Sequence, residues 1–230
     1  MNQLPLAMRW PAQQRFDSYF PGGANAVVVD LLQRAARAAD APWVFVSGAR
    51  GSGKTHLLIA ACAAASEHGR SAQYVSLRTR IGAAHIAALG GGDLLVLDDI
   101  DAAAGDAETE RALFDLYNRS KVEKCTLLFS AQAAPAQSGI VLPDLVSRLS
   151  ACAQGPLKPL DDVERREVLR TRAHARGIEL DDAALDWLFA RAQRDLASLA
   201  ALLDQLDRAS LAAKRRITVP FLRAYFQLGS

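Results

Sequence analysis

The hydrophobic positions along the chain fall into short apolar runs separated by longer Ala- and Leu-rich segments. Short apolar runs beside glycine-rich turns are typical of strands buried on both faces of a sheet. The longer segments repeat their apolar residues at helical spacing. Because strands separated by helices run parallel, the pattern predicts one parallel sheet covered on both faces. The five predicted strands are residues 43–46, 73–77, 94–97, 126–130 and 153–157.

Helices are predicted between these strands and again after Pro159, where the strand-like runs stop. Asp161 and Asp181 are predicted to be N-caps. We therefore predict a flexible leader at 1–15, an α/β core at 16–159 and a small all-helical domain at 160–230. The predicted helices are residues 26–39, 56–68, 81–89, 108–122, 143–149, 161–176, 182–193, 195–214 and 220–227.

The first predicted strand leads into a glycine-rich loop that matches the P-loop pattern G-x-x-x-x-G-K-[ST]. Glycines let the backbone approach an anion closely, so the N–H groups of the loop and the next helix face the phosphates. Lys54 is expected to reach the β- and γ-phosphates, and the Thr55 hydroxyl to bind Mg²⁺. The loop therefore predicts ADP or ATP as the ligand, with Mg²⁺. The predicted phosphate-binding residues are Gly48, Gly51, Ser52, Gly53, Lys54 and Thr55.

The third predicted strand ends in two acids, Asp98 and Asp99. Ligands bind at the carboxyl ends of parallel strands, so both carboxylates are expected near the P-loop. Asp98 is predicted to hold Mg²⁺, and Asp99 is predicted to be a catalytic residue that orients or polarises the attacking water. Asp101 is predicted to be a solvated turn residue.

The composition narrows the class of protein further. The 230 residues carry a formal net charge of +2, which is too small to indicate general attraction to nucleic acid or to an anionic membrane. No signal-peptide pattern is present, and no run approaches the roughly 20 apolar residues that span a bilayer. Cys62, Cys125 and Cys152 form no C-x-x-C pair and are predicted to be buried and unpaired. We therefore expect a cytoplasmic protein.

With both motifs placed, residues 16–230 resemble the AAA+ ATPases, in the branch of the bacterial replication initiator DnaA. The resemblance implies an AAA+ core followed by a helical lid, and it places Tyr19 and Phe20 near the adenine. It also implies that Arg148 is an arginine finger, which neutralises charge on a phosphoryl group held by a partner subunit. Besides the two motifs, the similarity lies in residues 16–22, 114–119, 142–149 and 203–210.

The last three of these segments are more similar to a short regulatory member of the branch, which inactivates DnaA, than to DnaA itself. DnaA continues into a helix-turn-helix DNA-binding domain that this sequence does not show. Gln3, Leu4 and Leu6 resemble the peptide with which other proteins dock on the replicative sliding clamp. The resemblance thus implies DnaA and the clamp as partners, with DNA contact through the clamp, no membrane and a place at the nucleoid and replisome. AAA+ proteins usually self-associate, so a homodimer stays open.

Two positions depart from the family pattern. Gln132 stands where an acid is usual, so it can hydrogen-bond a phosphate but cannot act as a carboxylate. The lid arginine that contacts the phosphates falls at Ala197, with Arg194 one helical turn earlier. We therefore expect weak intrinsic hydrolysis, with the bound nucleotide stabilising the fold. Three alternatives remain at this point: a helicase-loader ATPase of the DnaC type, an autonomous AAA+ ATPase, and a purely structural adaptor with vestigial nucleotide binding.

Overall fold

The computed structural model describes residues 10–79, 81–191, 196–213 and 216–228. The chain divides into two compact units, Met1–Pro159 and Leu160–Ser230. Some residues with predicted roles lie outside the described residues, so these roles stay predictions. They are Gln3, Leu4, Leu6 and Arg194, together with the side chain of Ala197.

The first unit is built on a five-stranded parallel sheet. Its strands are β1 (Val44–Ser47), β2 (Ala72–Ser76), β3 (Leu94–Asp98), β4 (Thr126–Ala131) and β5 (Ala153–Pro156). They lie in the order β2-β3-β4-β1-β5, and each described pair is parallel. The predicted parallel sheet is therefore confirmed. Because only β4 separates β1 from β3, the two nucleotide motifs that follow them open at the same edge of the sheet.

The connections between these strands contain helices close to the predicted ones. They are α1 (Gly22–Arg37), α2 (Lys54–Glu67), α3 (Ala83–Ala87), α4 (Ala107–Val122) and α5 (Pro143–Ser150). The start predicted for α1 at residue 26 is wrong, because the helix begins directly after Pro21, whose φ of −75° suits a helix start. The bounds predicted for α3 are too wide, since Gly82 and Gly90 flank a shorter helix.

The apolar residues of the strands alternate between two cores, one on each face of the sheet, as the period of two requires. On one face Phe45, Leu95, Leu97, Leu127 and Phe129 pack against Ile86, Leu113, Leu116, Leu145 and Leu149, which belong to α3, α4 and α5. On the other face Val44, Val46, Leu94, Val96 and Leu128 pack against Val28, Leu32, Leu57 and Leu58, which belong to α1 and α2.

The second unit contains α6 (Asp162–His174), α7 (Asp182–Arg191), α8 (Leu196–Ala213) and α9 (Val219–Leu228). Asp161 Oδ1 accepts a hydrogen bond from the Glu164 N–H at 2.8 Å, and Asp181 Oδ1 accepts one from the Ala184 N–H at 2.6 Å. Both predicted N-caps are therefore confirmed. In neither unit is a described helix long and apolar enough to cross a membrane.

The three cysteines are buried and unpaired, as predicted. Burial raises the pKa of the Cys62 thiol to about 12 and the pKa values of Cys125 and Cys152 to about 11. The thiols therefore stay protonated near neutral pH, where a thiolate would be needed for nucleophilic chemistry.

Glu110 ties α4 to the chain segment that starts α5. The residue is 1% exposed, and its carboxylate accepts hydrogen bonds from the backbone N–H groups of Gly105 at 2.8 Å, Val141 at 3.0 Å and Leu142 at 2.6 Å. A buried carboxylate is costly unless such donors satisfy it. These bonds hold the N-terminal end of α5 against the first turn of α4.

Glu110→Ala should lower the free energy of unfolding by about 3 kcal/mol, because three N–H groups lose a charged acceptor. Urea denaturation followed by circular dichroism measures this change. Glu108→Ala, on the same turn but exposed, is the matched control and should change the free energy by less than about 1 kcal/mol. Equal stability of the two variants would contradict the prediction.

Candidate nucleotide-binding site

The P-loop connects β1 to α2 and requires glycine for two different reasons. Gly51 and Gly53 have φ angles of +81° and +96°, in the left-handed region that favours glycine. At Gly48 the reason is space, since a Cβ there would lie 2.8 Å from Ser52 Oγ and 2.9 Å from the carbonyl oxygen of Leu157. The three predicted glycines thus let the loop fold tightly beside the end of β5.

Lys54 is buried at the start of α2, and its ammonium group lies inside the loop. Its Nζ donates hydrogen bonds to the carbonyl oxygens of Gly48 at 2.6 Å and Ala49 at 3.0 Å. Burial lowers the pKa of Lys54, and nearby carboxylates, Asp99 foremost, oppose that shift. Ser52 Oγ is buried and has no hydrogen-bond partner among the described residues. A buried ammonium, a spare hydroxyl and backbone N–H groups are donors that phosphates accept from, so these residues fit ADP or ATP.

Asp98 ends β3 and accepts hydrogen bonds from three hydroxyl groups on three neighbouring elements. Thr55 of α2 and Tyr74 of β2 donate to Oδ2 at 2.7 Å and 2.6 Å, and Ser130 of β4 donates to Oδ1. The residue is 1% exposed. The predicted pair of Mg²⁺ ligands, Thr55 and Asp98, is therefore adjacent and offers the hard oxygen atoms that Mg²⁺ prefers. Their role as ligands stays a prediction.

Tyr74 is a site residue that the sequence motifs do not indicate. In the parallel register it pairs with Val96, two residues before Asp98, so its side chain lies on the same face as that carboxylate. Burial, with the hydrogen bond to Asp98, raises the pKa of Tyr74, so its hydroxyl remains a donor. The sequence signal that could have indicated Tyr74 is a side chain with a terminal hydroxyl group on β2, the strand that precedes the one ending in two acids.

Asp99 follows β3 with a φ of +57°, a left-handed conformation that is uncommon for residues other than glycine. Arg78, in the turn after β2, holds its carboxylate: Nε lies 2.7 Å from Oδ2, and Nη2 donates to Oδ1 at 3.1 Å. Burial and the charge of Asp98 raise the pKa of Asp99, and Arg78 opposes that rise. Arg78 engages both oxygens and so fixes the orientation of the carboxylate, although each oxygen keeps a second lone pair that can accept from water.

Gln132, which follows β4, contacts Asp101, which follows β3. Gln132 Nε2 donates to Asp101 Oδ2 at 3.1 Å, while Asp101 Oδ1 is buried without a hydrogen-bond partner in the described part of the chain. Asp101 does lie in a turn after β3, but it is half-buried, so the prediction that it is solvated is wrong for its Oδ1 atom. Both residues line a cavity of about 230 Å³ with Arg50, Arg78 and Asp99. Asp101 thus supplies a carboxylate beside Gln132.

Tyr19 and Phe20 lie in the segment before α1. The Tyr19 ring packs on the P-loop, where a Cβ at Gly53 would come within 2.7 Å of Tyr19 Cε2. The ring also lies 5.5 Å from that of His56, whose Nε2 is 3.0 Å from the carbonyl oxygen of Arg15. Phe20 is half-buried. The structure therefore brings Tyr19 to the phosphate loop, and the assignment of both aromatic residues to adenine stays a prediction.

Arg148 lies on α5, apart from the residues described so far. Its side chain is exposed, and its Cζ atom is 5.9 Å from the centre of the Tyr117 ring. Within the described part of the chain, its guanidinium makes no hydrogen bond or ion pair with the nucleotide-site residues. The structure therefore groups the P-loop, Asp98, Asp99, Gln132 and Tyr19, and leaves Arg148 on a separate surface.

ADP at about 100 times its Kd should stabilise the parent protein by about 2.7 kcal/mol, measured as a rise in melting temperature. Lys54→Ala should remove most of this rise, because the buried ammonium is the charged donor of the loop. Lys158→Ala is the control, since Lys158 is exposed and its described hydrogen bonds use backbone atoms. A full ADP-dependent rise in Lys54→Ala would refute the assignment.

Comparison with known proteins finds two family profiles that match different parts of the chain. The profile of the bacterial DnaA ATPase domain matches residues 11–154, which is more than half of the chain, and the profile of the Hda lid domain matches residues 162–226.

Solved structures share the fold at low sequence identity. DnaA from Aquifex aeolicus bound to AMPPCP is 19% identical with a TM-score of 0.72, and the match covers 86% of this chain and 66% of that one. Domain III of Thermotoga maritima DnaA is 18% identical with a TM-score of 0.79, over 93% and 95%. The T. maritima RuvB branch migration motor is 18% identical with a TM-score of 0.71, over 95% and 72%.

This chain spans 65% and 66% of the length of the two AMPPCP-bound DnaA structures. At identities below 20% these likenesses establish the fold, while the matches to the two family profiles extend to both units of the chain. The chain belongs to the bacterial DnaA ATPase-domain family of AAA+ proteins and carries a lid of the Hda type.

Proposed function

We propose that this protein regulates the initiation of chromosome replication by stimulating hydrolysis of the ATP bound to DnaA. Arg148 acts in trans as an arginine finger, and Gln3, Leu4 and Leu6 dock the protein on the sliding clamp, at the replisome in the cytoplasm. The chain's own ADP or ATP, with Mg²⁺, is a ligand that stabilises it. Membership of the DnaA family and the Hda-type lid support this function.

The exposure of Arg148 is the observation that carries the proposal. Its guanidinium has no acidic partner among the described residues and rests over the Tyr117 ring. A guanidinium is planar, always charged and able to make two parallel hydrogen bonds to a phosphate. Because no carboxylate neutralises it, the group keeps its full charge for a phosphoryl group that a partner presents, where it would stabilise the charge that develops in the transition state.

The nucleotide site of this chain is better suited to binding a nucleotide than to hydrolysing it. Lys54, Thr55 and Asp98 would hold the phosphates and Mg²⁺, which supplies charge neutralisation when bound. Asp99, the predicted catalytic carboxylate, is engaged by Arg78 through both oxygens. This contact restrains the group that would orient the attacking water, which supports a regulatory role for the bound nucleotide.

Arg148→Ala should reduce the stimulated hydrolysis of DnaA-bound ATP about 10³-fold or more, measured in single turnover with DNA-loaded clamp. Arg148→Lys should recover little of this loss, because lysine keeps the charge but cannot make paired bonds. Arg34→Ala is the control, since Arg34 is exposed on α1, which covers the other face of the sheet. The mechanism is wrong if Arg148→Ala stimulates as well as the parent protein.

Replacing Leu4 and Leu6 together by alanine should abolish binding to the purified clamp, because the apolar anchors of the leader are lost. Surface plasmon resonance with immobilised clamp measures the binding. ADP-dependent stabilisation of the same variant should equal that of the parent, which checks the core. Clamp binding at parental affinity would exclude the leader as the docking peptide.

A second candidate is an autonomous ATPase, which the complete set of Lys54, Thr55, Asp98 and Asp99 at one edge of the sheet favours. Steady-state hydrolysis by the isolated protein, in the absence of DnaA and clamp, separates the two functions. Sustained turnover that Lys54→Ala abolishes would favour the autonomous enzyme. A rate no higher than that of Lys54→Ala would favour the regulator.

A further inference from the structure

A cavity of about 570 Å³ opens at the end of the sheet opposite the nucleotide site. It lies at the amino ends of β1 and β4, whereas the P-loop and the acids lie at the carboxyl ends of the strands. Trp43 and Tyr117 line it with their rings in an edge-on contact, 4.6 Å between centres. Lys121, near the end of α4, and Lys124, just before β4, line it as well. The cavity therefore combines an aromatic wall with two ammonium groups.

The charges at this cavity are incompletely balanced. Lys121 and Lys124 are both exposed, and neither forms an ion pair with an acid in the described part of the chain. Asp40 is the acid that lines the cavity with them. Val122, between the two lysines in sequence, is 83% exposed but does not line the cavity. An occupant that matches these features has an apolar side chain beside carboxylates.

Lys124 stands at a backbone position that glycine would occupy at lower cost. Its φ is +57°, and the hydrogen bond from the Cys125 N–H to the Ser120 carbonyl oxygen, 2.9 Å, closes the end of α4 around it. A lysine in the left-handed region is strained, whereas glycine is not. A strained backbone conformation points to a function when it places a side chain that can be used. Here the strained conformation places the ammonium group of Lys124 at the cavity.

The cavity lies close to Arg148, and the residue between them, Tyr117, is 8% exposed. The Tyr117 ring is the link, because its centre lies 4.6 Å from that of Trp43 on one side and 5.9 Å from Arg148 Cζ on another. A stable interface covers roughly 800 Å² on each partner. A partner whose nucleotide meets Arg148 can therefore also reach the adjoining cavity.

We propose that this cavity is an anchor site for the partner whose ATP Arg148 contacts, and that it takes a partner segment with an apolar or aromatic side chain flanked by carboxylates. Trp43 and Tyr117 bury the apolar side chain, as aromatic residues do at the centres of interfaces. Lys121 and Lys124 attract the carboxylates and steer the encounter. The identity of the partner, ATP-loaded DnaA, rests on the proposed function.

The test is a titration of the protein with ATP-loaded DnaA and DNA-loaded clamp, which yields a half-saturating concentration and a plateau rate. The double variant Lys121→Glu/Lys124→Glu should raise the half-saturating concentration about 10-fold or more and keep the plateau, since the charge attraction is reversed while Arg148 is intact. Lys124→Gly should raise the half-saturating concentration about 3-fold. Glycine relieves the strained backbone at this position, so misfolding cannot explain the weaker binding.

Two controls accompany the titration. Arg223→Glu changes the charge as Lys121→Glu does, but at an exposed position of α9 in the second unit, and it should leave the half-saturating concentration unchanged. ADP-dependent melting of each variant checks that the core is folded. An unchanged half-saturating concentration in the double variant overturns the anchor site, and so does a lower plateau at unchanged half-saturation, because the lysines would then act on Arg148.

Other occupants give different outcomes. If sedimentation shows that the double variant dissociates a dimer of the parent protein while the DnaA titration is unchanged, the occupant is a second copy and the proposal is overturned. Loss of single-stranded DNA binding, measured by fluorescence anisotropy with an unchanged titration, overturns it in favour of nucleic acid. If Arg148→Ala stimulates normally but the lysine variants still weaken DnaA binding, the proposed function fails and the anchor site stands.

Discussion

The carboxylate of Asp98 is the point at which three strands and a helix meet, and the geometry of the candidate site depends on it. Hydroxyl groups of Thr55, Tyr74 and Ser130 all donate to it at the buried end of β3. A buried charge is stable only when its acceptor sites are filled. The Ser130 hydroxyl also accepts the Asp99 N–H at 2.9 Å, so the second acid is oriented through the first.

Charge balance at this site supports the proposal that it holds a nucleotide more readily than it activates water. Asp98, Asp99 and Asp101 crowd together, and the charges of Lys54 and Arg78 oppose them. Arg78 engages Asp99 on both oxygens, whereas Arg148 has no acidic partner among the described residues. The restrained carboxylate and the guanidinium without an acidic partner are the two features that favour the proposed regulator, which acts on a partner's nucleotide, over an independent enzyme.

Helix α4 connects the parts of the surface that the proposals use. Glu110 in its first turn holds the start of α5, and Tyr117 in its middle supports the guanidinium of Arg148. Lys121 at its end lines the cavity at the amino ends of the strands. Because one rigid helix carries all three, the position of Arg148 and the position of the cavity are coupled by the geometry of α4.

The sequence by itself determined the class of fold and the phosphate loop, because both depend on local patterns: apolar runs with strand spacing, glycines at left-handed angles, and acids at a strand end. Only the tertiary structure decided that Tyr74 reaches Asp98, that Arg78 restrains Asp99 and that Asp101 pairs with Gln132. These partners lie 24, 21 and 31 residues apart in sequence, and strand order and register, which are non-local, bring them together.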